Sequence, residues 1–261
     1  MPGQVRGNEF GSFESYSNEY DLGMSDKPHL KHNYGTINKE YGIDLATRAP
    51  ENDGPIYMVN LMKYHEVAQY QSDDGMDKSI SGREADDRYN PASVLSKIGA
   101  DMVFVADVKK SHVGSEDWDR IAIVRYATRK SFIEMQSRKD FSEKHKHKAA
   151  GMQRTIIVCC RPEDLALDKT GRPTVGNSRA VLMVVRQTEN RSSAFSQSDS
   201  ATNFAAEGTI IGDGRMWDTV QFKAFDTQTQ ADENAASLKD CLPGSSFVMT
   251  LDASMDAITT R

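Results

Sequence analysis

The chain has 261 residues, a net charge of −6 and 38% hydrophobic residues, with a mean hydropathy of −0.60. That length can bury a sizeable core as one large domain or two small ones, and the acidic balance argues against a general nucleic-acid binder. No apolar run approaches the ~18 residues of a membrane-spanning helix, and three cysteines, two of them adjacent at Cys159 and Cys160, make no disulfide framework, so no membrane partner and a cytoplasmic compartment are expected.

Residues 1–35 are polar, rich in Gly and Ser, and lack the apolar core of a signal peptide. They read as an N-terminal arm, either unstructured or docking its Phe10, Phe13, Tyr16 and Tyr20 on a neighbouring subunit. PIYMVNLMKY (55–64) is a nearly continuous apolar run after Gly54 and reads as a buried strand. SGREADDRYNPASVLSKIG (81–99) reads as a helix with Ser81 and Glu84 as a capping box and Gly99 as its stop, kinked or divided by Pro91. Strands follow at ADMVFVADVKK and WDRIAIVRYA. Thr128 caps the next helix, in which Phe132, Met135 and Phe141 suit one face, and MQRTIIVCCRP is a fourth strand ended by Pro162. The order is β-α-β-β-α-β.

A linker over 163–177 separates this unit from a fainter repeat. RAVLMVVRQT (179–188) predicts a strand, 192–206 a weak helix, GTIIGDGRM a short strand and turn, WDTVQFKAFDT a strand, 228–240 a helix and SSFVMTLDA a strand. WDRIAIVRYAT (118–128) and WDTVQFKAFDT (217–227) align with Trp-Asp and Thr in register. The predicted fold is therefore α+β, with two tandem ferredoxin-like modules (36–162 and 178–261). Their open sheet faces must be buried, and packing them together gives a dimeric α/β-barrel-type pseudo-dimer.

GPIYMVNLMKY, SGREADDRY, WDRIAIVRYATRKSFIEM and HKAAGMQRTIIVCC, spanning about residues 54–160, resemble in that order the domain of unknown function 1330 family of dimeric α/β-barrel proteins. The resemblance implies a small-molecule pocket between sheet and helices. The wider superfamily includes cofactor-free monooxygenases, isomerases, lyases, haem proteins and ligand-binding regulators, so fold does not choose the reaction. His147 falls in the family's His-basic-x-Ala stretch.

All six histidines lie within the first 147 residues, which places the candidate site in the first module. On the first strand Ile56, Met58, Asn60, Met62 and Tyr64 share one face. Asn60 is a polar group in an apolar run, either a structural amide or a polarising donor to a substrate carbonyl. Arg125 is a candidate carboxylate anchor or a surface ion-pair member. Trp118, Tyr126, Tyr89 and His65 are candidate pocket residues. His145 and His147 stand about 200° apart on a helix, which rules out one metal ion held from a common face. His147 is the candidate base, set among lysines that would lower its pKa, and His145 is expected at the surface. Cations from Arg125 to Lys148 crowd this segment and could steer an anionic substrate. The expectation is an enzyme for a small organic substrate, neutral or anionic, using base-assisted monooxygenase, isomerase or lyase chemistry without metal or cofactor. A non-catalytic ligand-binding or assembly protein and a haem protein are the alternatives, and a homo-oligomer is expected.

Overall fold

The computed structural model describes residues 34–71, 79–168, 179–186, 201–239, 242 and 245–259. The arm aromatics, His29, His32, most of the linker and residues 192–200 of the predicted weak helix lie outside the described residues. Strand β1 (Thr36–Ile37) leads into helix α1 (Lys39–Thr47). Then come β2 (Ile56–Tyr64), α2 (Gly82–Tyr89), α3 (Ala92–Leu95), β3 (Asp101–Val113) and β4 (Arg120–Tyr126). Helices α4 (Arg129–Gln136) and α5 (Lys139–Gly151) precede β5 (Met152–Pro162). The second half holds β6 (Arg179–Arg186), β7 (Thr202–Gly212), β8 (Thr219–Phe225), α6 (Gln228–Leu238) and β9 (Phe247–Asp256).

The helix ends follow their local chemistry. Ser81 Oγ accepts from the Glu84 N–H at 3.2 Å, and the Glu84 carboxylate accepts from the Ser81 N–H at 2.8 Å, so two orphan donors at the start of α2 are satisfied. Asn90, at φ 21°, and Pro91 divide the 81–99 segment into α2 and α3, and Gly99 closes it in the left-handed region at φ 65°. Thr128 and Thr227 cap α4 and α6 in the same reciprocal way. The helix after Thr128 breaks at Ser137 and restarts as α5.

The strands run in the order β7-β5-β2-β4-β3-β9-β6-β8, and β8 pairs back onto β7. Every pairing is antiparallel, so eight strands close into one barrel, with β1 added outside on β7. This corrects the expected α+β fold of two tandem ferredoxin-like modules and the tandem-repeat reading behind it. The edge strands of the first half do not stay edges: β3 pairs with β9 and β5 with β7, for example Val108 with Leu251 and Cys159 with Gly208. Those bonds satisfy backbone groups that a separate sheet would expose, and the molecule is mostly sheet with few helices. Residues 202–206, expected in a helix, belong to β7, where Phe204 packs inward.

Alternation along each strand sorts the side chains. Tyr57, Val59 and Leu61 of β2 and Ile121 and Ile123 of β4 point into the barrel. Phe104 and Phe222 lie 5.2 Å apart there, and Tyr57 and Phe204 also 5.2 Å. Trp118 and Trp217 both pack on Phe247, at 5.9 and 4.9 Å between ring centroids. The interior is a packed aromatic core. The opposite face of β2, β4 and β5 is covered by the helices of the first half, which makes a second apolar layer outside the barrel wall.

Arg129, at the start of α4, is 1% exposed. Its guanidinium grips the Glu207 carboxylate of β7 through Nε at 2.7 Å and through Nη2, and donates to the carbonyls of Asn52 and Gly54. Asp53 accepts from the Arg129 backbone N–H at 2.6 Å. This buried pair fixes the first half's helices to a strand of the second.

Candidate functional site

Between the helices and the outer face of the barrel lies a cavity of about 310 Å³. Its floor is the outward face of β2 and β4, including Met58, Asn60, Met62, Ala122, Val124 and Tyr126. Helices α2, α4 and α5 form the roof with Tyr89, Phe132, Met135, Phe141, His145 and Lys148. Tyr34 closes one side. The lining is mostly apolar, with a few polar groups set into it, as expected of a small-molecule site.

Lys148 is the polar group with most consequence. Phe141, His145 and Lys148 are spaced i, i+4, i+7 on α5 and therefore share the face turned to the cavity. The Lys148 ammonium lies 3.5 Å from Asn60 Oδ1 and 5.5 Å above the centre of the Tyr89 ring. Among the described residues no carboxylate comes within ion-pairing distance of it. Desolvation lowers its pKa, and the Asp86 charge opposes that only in part.

Asn60 is oriented by its surroundings. Its amide nitrogen donates to the carbonyls of Met58 at 2.9 Å and Ala122 at 3.4 Å. A flipped amide would set oxygen against those two oxygens, so the amide oxygen must face Lys148. The donors proposed for a substrate carbonyl are thus spent on the sheet. Asn60 acts as an acceptor beside the lysine.

Two further polar pairs border the cavity. Tyr34 Oη and His145 Nε2 are 2.7 Å apart. Burial, and then Asp86, pushes the Tyr34 phenol above its ordinary range, so it stays protonated. Tyr64 Oη donates to Asp86 at 2.6 Å, and Arg120 lies 3.6 Å from Asp86 and 2.8 Å from Asp87. Tyr126 donates to Met135 Sδ at 3.5 Å, and burial raises its pKa as well.

The residues expected at the site separate into two groups. Asn60, Tyr89 and Tyr126 line the cavity. His147 does not: it turns away on α5 and its Nδ1 lies 2.7 Å from the Oη of Tyr70, which belongs to a satellite cluster with Ala68, Ile80, Ala85 and Ala150. His145, expected at the surface, is the histidine that lines the cavity. His65 ties backbone to backbone, donating to the Gly151 carbonyl at 2.9 Å and accepting from Gly82 at 3.0 Å. Trp118 is in the barrel interior, under the Arg154 guanidinium at 5.0 Å. Arg125 sits on β4 opposite Asp101 and Tyr57, outside the cavity lining. Three cations of the segment are paired with acids: Arg129 with Glu207, Arg138 with Asp140 and Lys130 with Glu134.

Lys148, His145, Tyr34, Asp86 and Arg120 complete the constellation. The spacing of Lys148 and His145 from Phe141 was the signal available for two of them. Cys159 and Cys160 are both buried, one in the layer under the helices and one in the barrel. Burial pushes the Cys159 thiol up to about 12 despite Tyr41, so it is not a nucleophile at neutral pH. Among the described residues no group of three or more His, Cys, Asp or Glu side chains could hold a metal ion, and no helix is long and apolar enough to cross a membrane.

No family model matches the chain. No curated protein matches it either. Solved structures with partial likeness include RPA0582, a protein of unknown function from Rhodopseudomonas palustris, at 23% identity, covering 48% of this chain and 94% of that one, with a TM-score of 0.42. The methylated RPA0582 protein aligns at 26% identity over 50% of this chain and 97% of that one, with a TM-score of 0.44. Function has to be read from the cavity itself.

Proposed function

We propose that this chain is an enzyme that binds a small organic molecule in the cavity outside the barrel wall and acts on it by base-assisted chemistry. The observation that carries this is the projection of a desolvated lysine and a tyrosine–histidine pair into one apolar cavity. The apolar walls take the body of the substrate. Lys148 receives its polar head, a carbonyl or acidic oxygen, with Asn60 holding the amine in place. His145, paired with the Tyr34 phenol, is the proton-accepting and proton-returning couple, the role first expected of His147. Tyr64, Asp86 and Arg120 keep local charge balanced beside it.

The test is native mass spectrometry of the full chain purified without denaturation, together with a thermal-shift screen of small aromatic and aliphatic carbonyl compounds, alcohols and carboxylic acids. A co-purified small molecule, or stabilisation by one chemical class that Lys148→Met abolishes, is the expected result. No bound mass and no stabilisation by any class would overturn the reading. Binding without any conversion of the bound compound would leave a ligand-binding protein in place of an enzyme.

A further inference from the structure

We propose that Lys148 is a covalent catalytic residue that holds an aldehyde or ketone substrate as an imine. The inference rests on the cavity being the functional site and names the substrate class for it.

Three geometric facts support this. First, the Lys148 amine is set in an apolar cavity and faces a neutral amide oxygen 3.5 Å away. A carboxylate in that place would hold the lysine as an ammonium ion, which cannot attack. Asp86, the acid that acts on it electrostatically, is already committed to the Tyr64 hydroxyl at 2.6 Å and to Arg120. Secondly, other lysines of the first half are held outside the cavity by partners that favour the charged form. Lys63 lies 2.9 Å from Asp117 and 3.0 Å from Asp119, and Lys97 lies 2.7 Å from Asp140. Thirdly, the cavity supplies an acid–base couple, Tyr34 with His145, and His145 stands on the same helix face as the amine.

The step balances without a co-reactant. The nitrogen lone pair of Lys148 forms a bond to the carbonyl carbon, and the carbonyl π pair moves to oxygen, which takes a proton to give a carbinolamine. The nitrogen loses its first proton to leave a neutral carbinolamine, whose hydroxyl takes a second proton. The nitrogen lone pair then forms the C=N bond as the C–O bond breaks and water leaves. The iminium gives up its remaining N–H proton, so amine plus carbonyl gives imine plus water. In this scheme His145, which lines the same cavity one helical turn before Lys148, carries the proton between nitrogen and oxygen, with Tyr34 as its partner. The apolar wall disfavours charged carbonyl compounds and selects small aromatic or branched aliphatic ones.

The experiment is reductive trapping. The full chain is treated with benzaldehyde at less than one equivalent and cyanoborohydride at about pH 7, and benzylated peptides are quantified by mass spectrometry. Lys148 is expected to label about tenfold faster than any other lysine, and Asn60→Asp, which puts a carboxylate beside the amine, is expected to remove most of that advantage. Labelling of Lys148 at the rate of surface lysines overturns the imine. Benzyl alcohol, which has the same shape and cannot form an imine, separates the two claims. If it raises the melting temperature while Lys148 shows no labelling preference, the imine fails and the pocket stands. If it has no effect and labelling is unselective, both fail. His145→Gln should slow trapping by a larger factor than it weakens the benzyl alcohol shift, a split that a purely structural His145 would not give.

Discussion

Asn60 of β2 and Lys148 of α5 meet at 3.5 Å across the boundary between barrel wall and helix layer, with the amide oxygen toward the amine and both amide hydrogens on the sheet. The amide therefore has a structural and a functional end. Asn60→Leu removes both ties to the sheet and should cost about 1–3 kcal/mol, the usual range for buried hydrogen-bond partners left unmatched. Urea denaturation should show a lower midpoint with an unchanged slope.

Lys148 should cost the protein stability. Burial lowers its pKa, with Asp86 opposing and Tyr89, Tyr34, His145 and Asn60 as its other polar neighbours. Above the ordinary lysine value the amine is neutral in both folded and unfolded chains, and no charge has to be desolvated. As pH falls below that value the unfolded chain takes up a proton more readily than the folded one, so the cost grows and then levels off. Lys148→Met should raise the melting temperature by about 2–4 °C at neutral pH, the shift expected for roughly 1 kcal/mol in a chain of this size. The gain should shrink toward about pH 10, where lysine neutralises. Calorimetry across that range checks both the sign and the trend.

Helices α2 and α5 touch through glycines. A Cβ at Gly151 would overlap the Gly82 carbonyl oxygen, and one at Gly82 would overlap backbone atoms of Gly151 and His65. These two helices carry Asp86, Tyr89, His145 and Lys148. Gly151→Ala should force them apart, at a cost of about 1–3 kcal/mol from overpacking, and should weaken ligand protection more than stability alone explains. Thermal shift with and without benzyl alcohol separates the two effects.

Arg129 and Glu207 form a largely buried ion pair. Arg129→Met removes the two-pronged partner of Glu207, leaving it Arg48 at 3.5 Å and Arg161 at 3.8 Å, and should cost about 3 kcal/mol, the low end for a broken buried pair. Burial alone would raise the Glu207 carboxyl, but Arg129, Tyr41 and Arg48 outweigh it and hold the carboxyl below its ordinary range. A depressed carboxylate contributes its full stability above the unfolded value, near pH 4.5, and loses it as pH falls through the folded value. Acid titration of Glu207→Gln should therefore show a shallower loss of stability below about pH 4.5 than the unaltered chain.

The strands and caps of the first half were legible because their chemistry is local. Alternation put Met58 and Asn60 on one face of β2 and Tyr57 and Val59 on the other, which is where they lie. Ser81, Glu84, Pro91, Gly99 and Thr128 marked the helix boundaries. Closure was not legible, because the pairing of β3 with β9 and β5 with β7 joins residues far apart in the chain and leaves no local pattern. β7 read partly as helix because Ala205, Ala206 and Gly208 hide its alternation. Lys148 was lost in a run of cations that looks solvated. A stricter use of the helical period would have placed it, with His145, on the face of Phe141 and left His147 outside.

Trp118 and Trp217 are the chain's two tryptophans. Both indoles, one from each half of the chain, pack against Phe247, and among the described residues neither indole N–H has a hydrogen-bond partner. The protein thus carries a built-in optical gauge of closure. Its intrinsic fluorescence originates at one buried stack, so a red shift reports opening of the barrel, while a ligand in the cavity on the far side of the wall leaves the emission wavelength where it was.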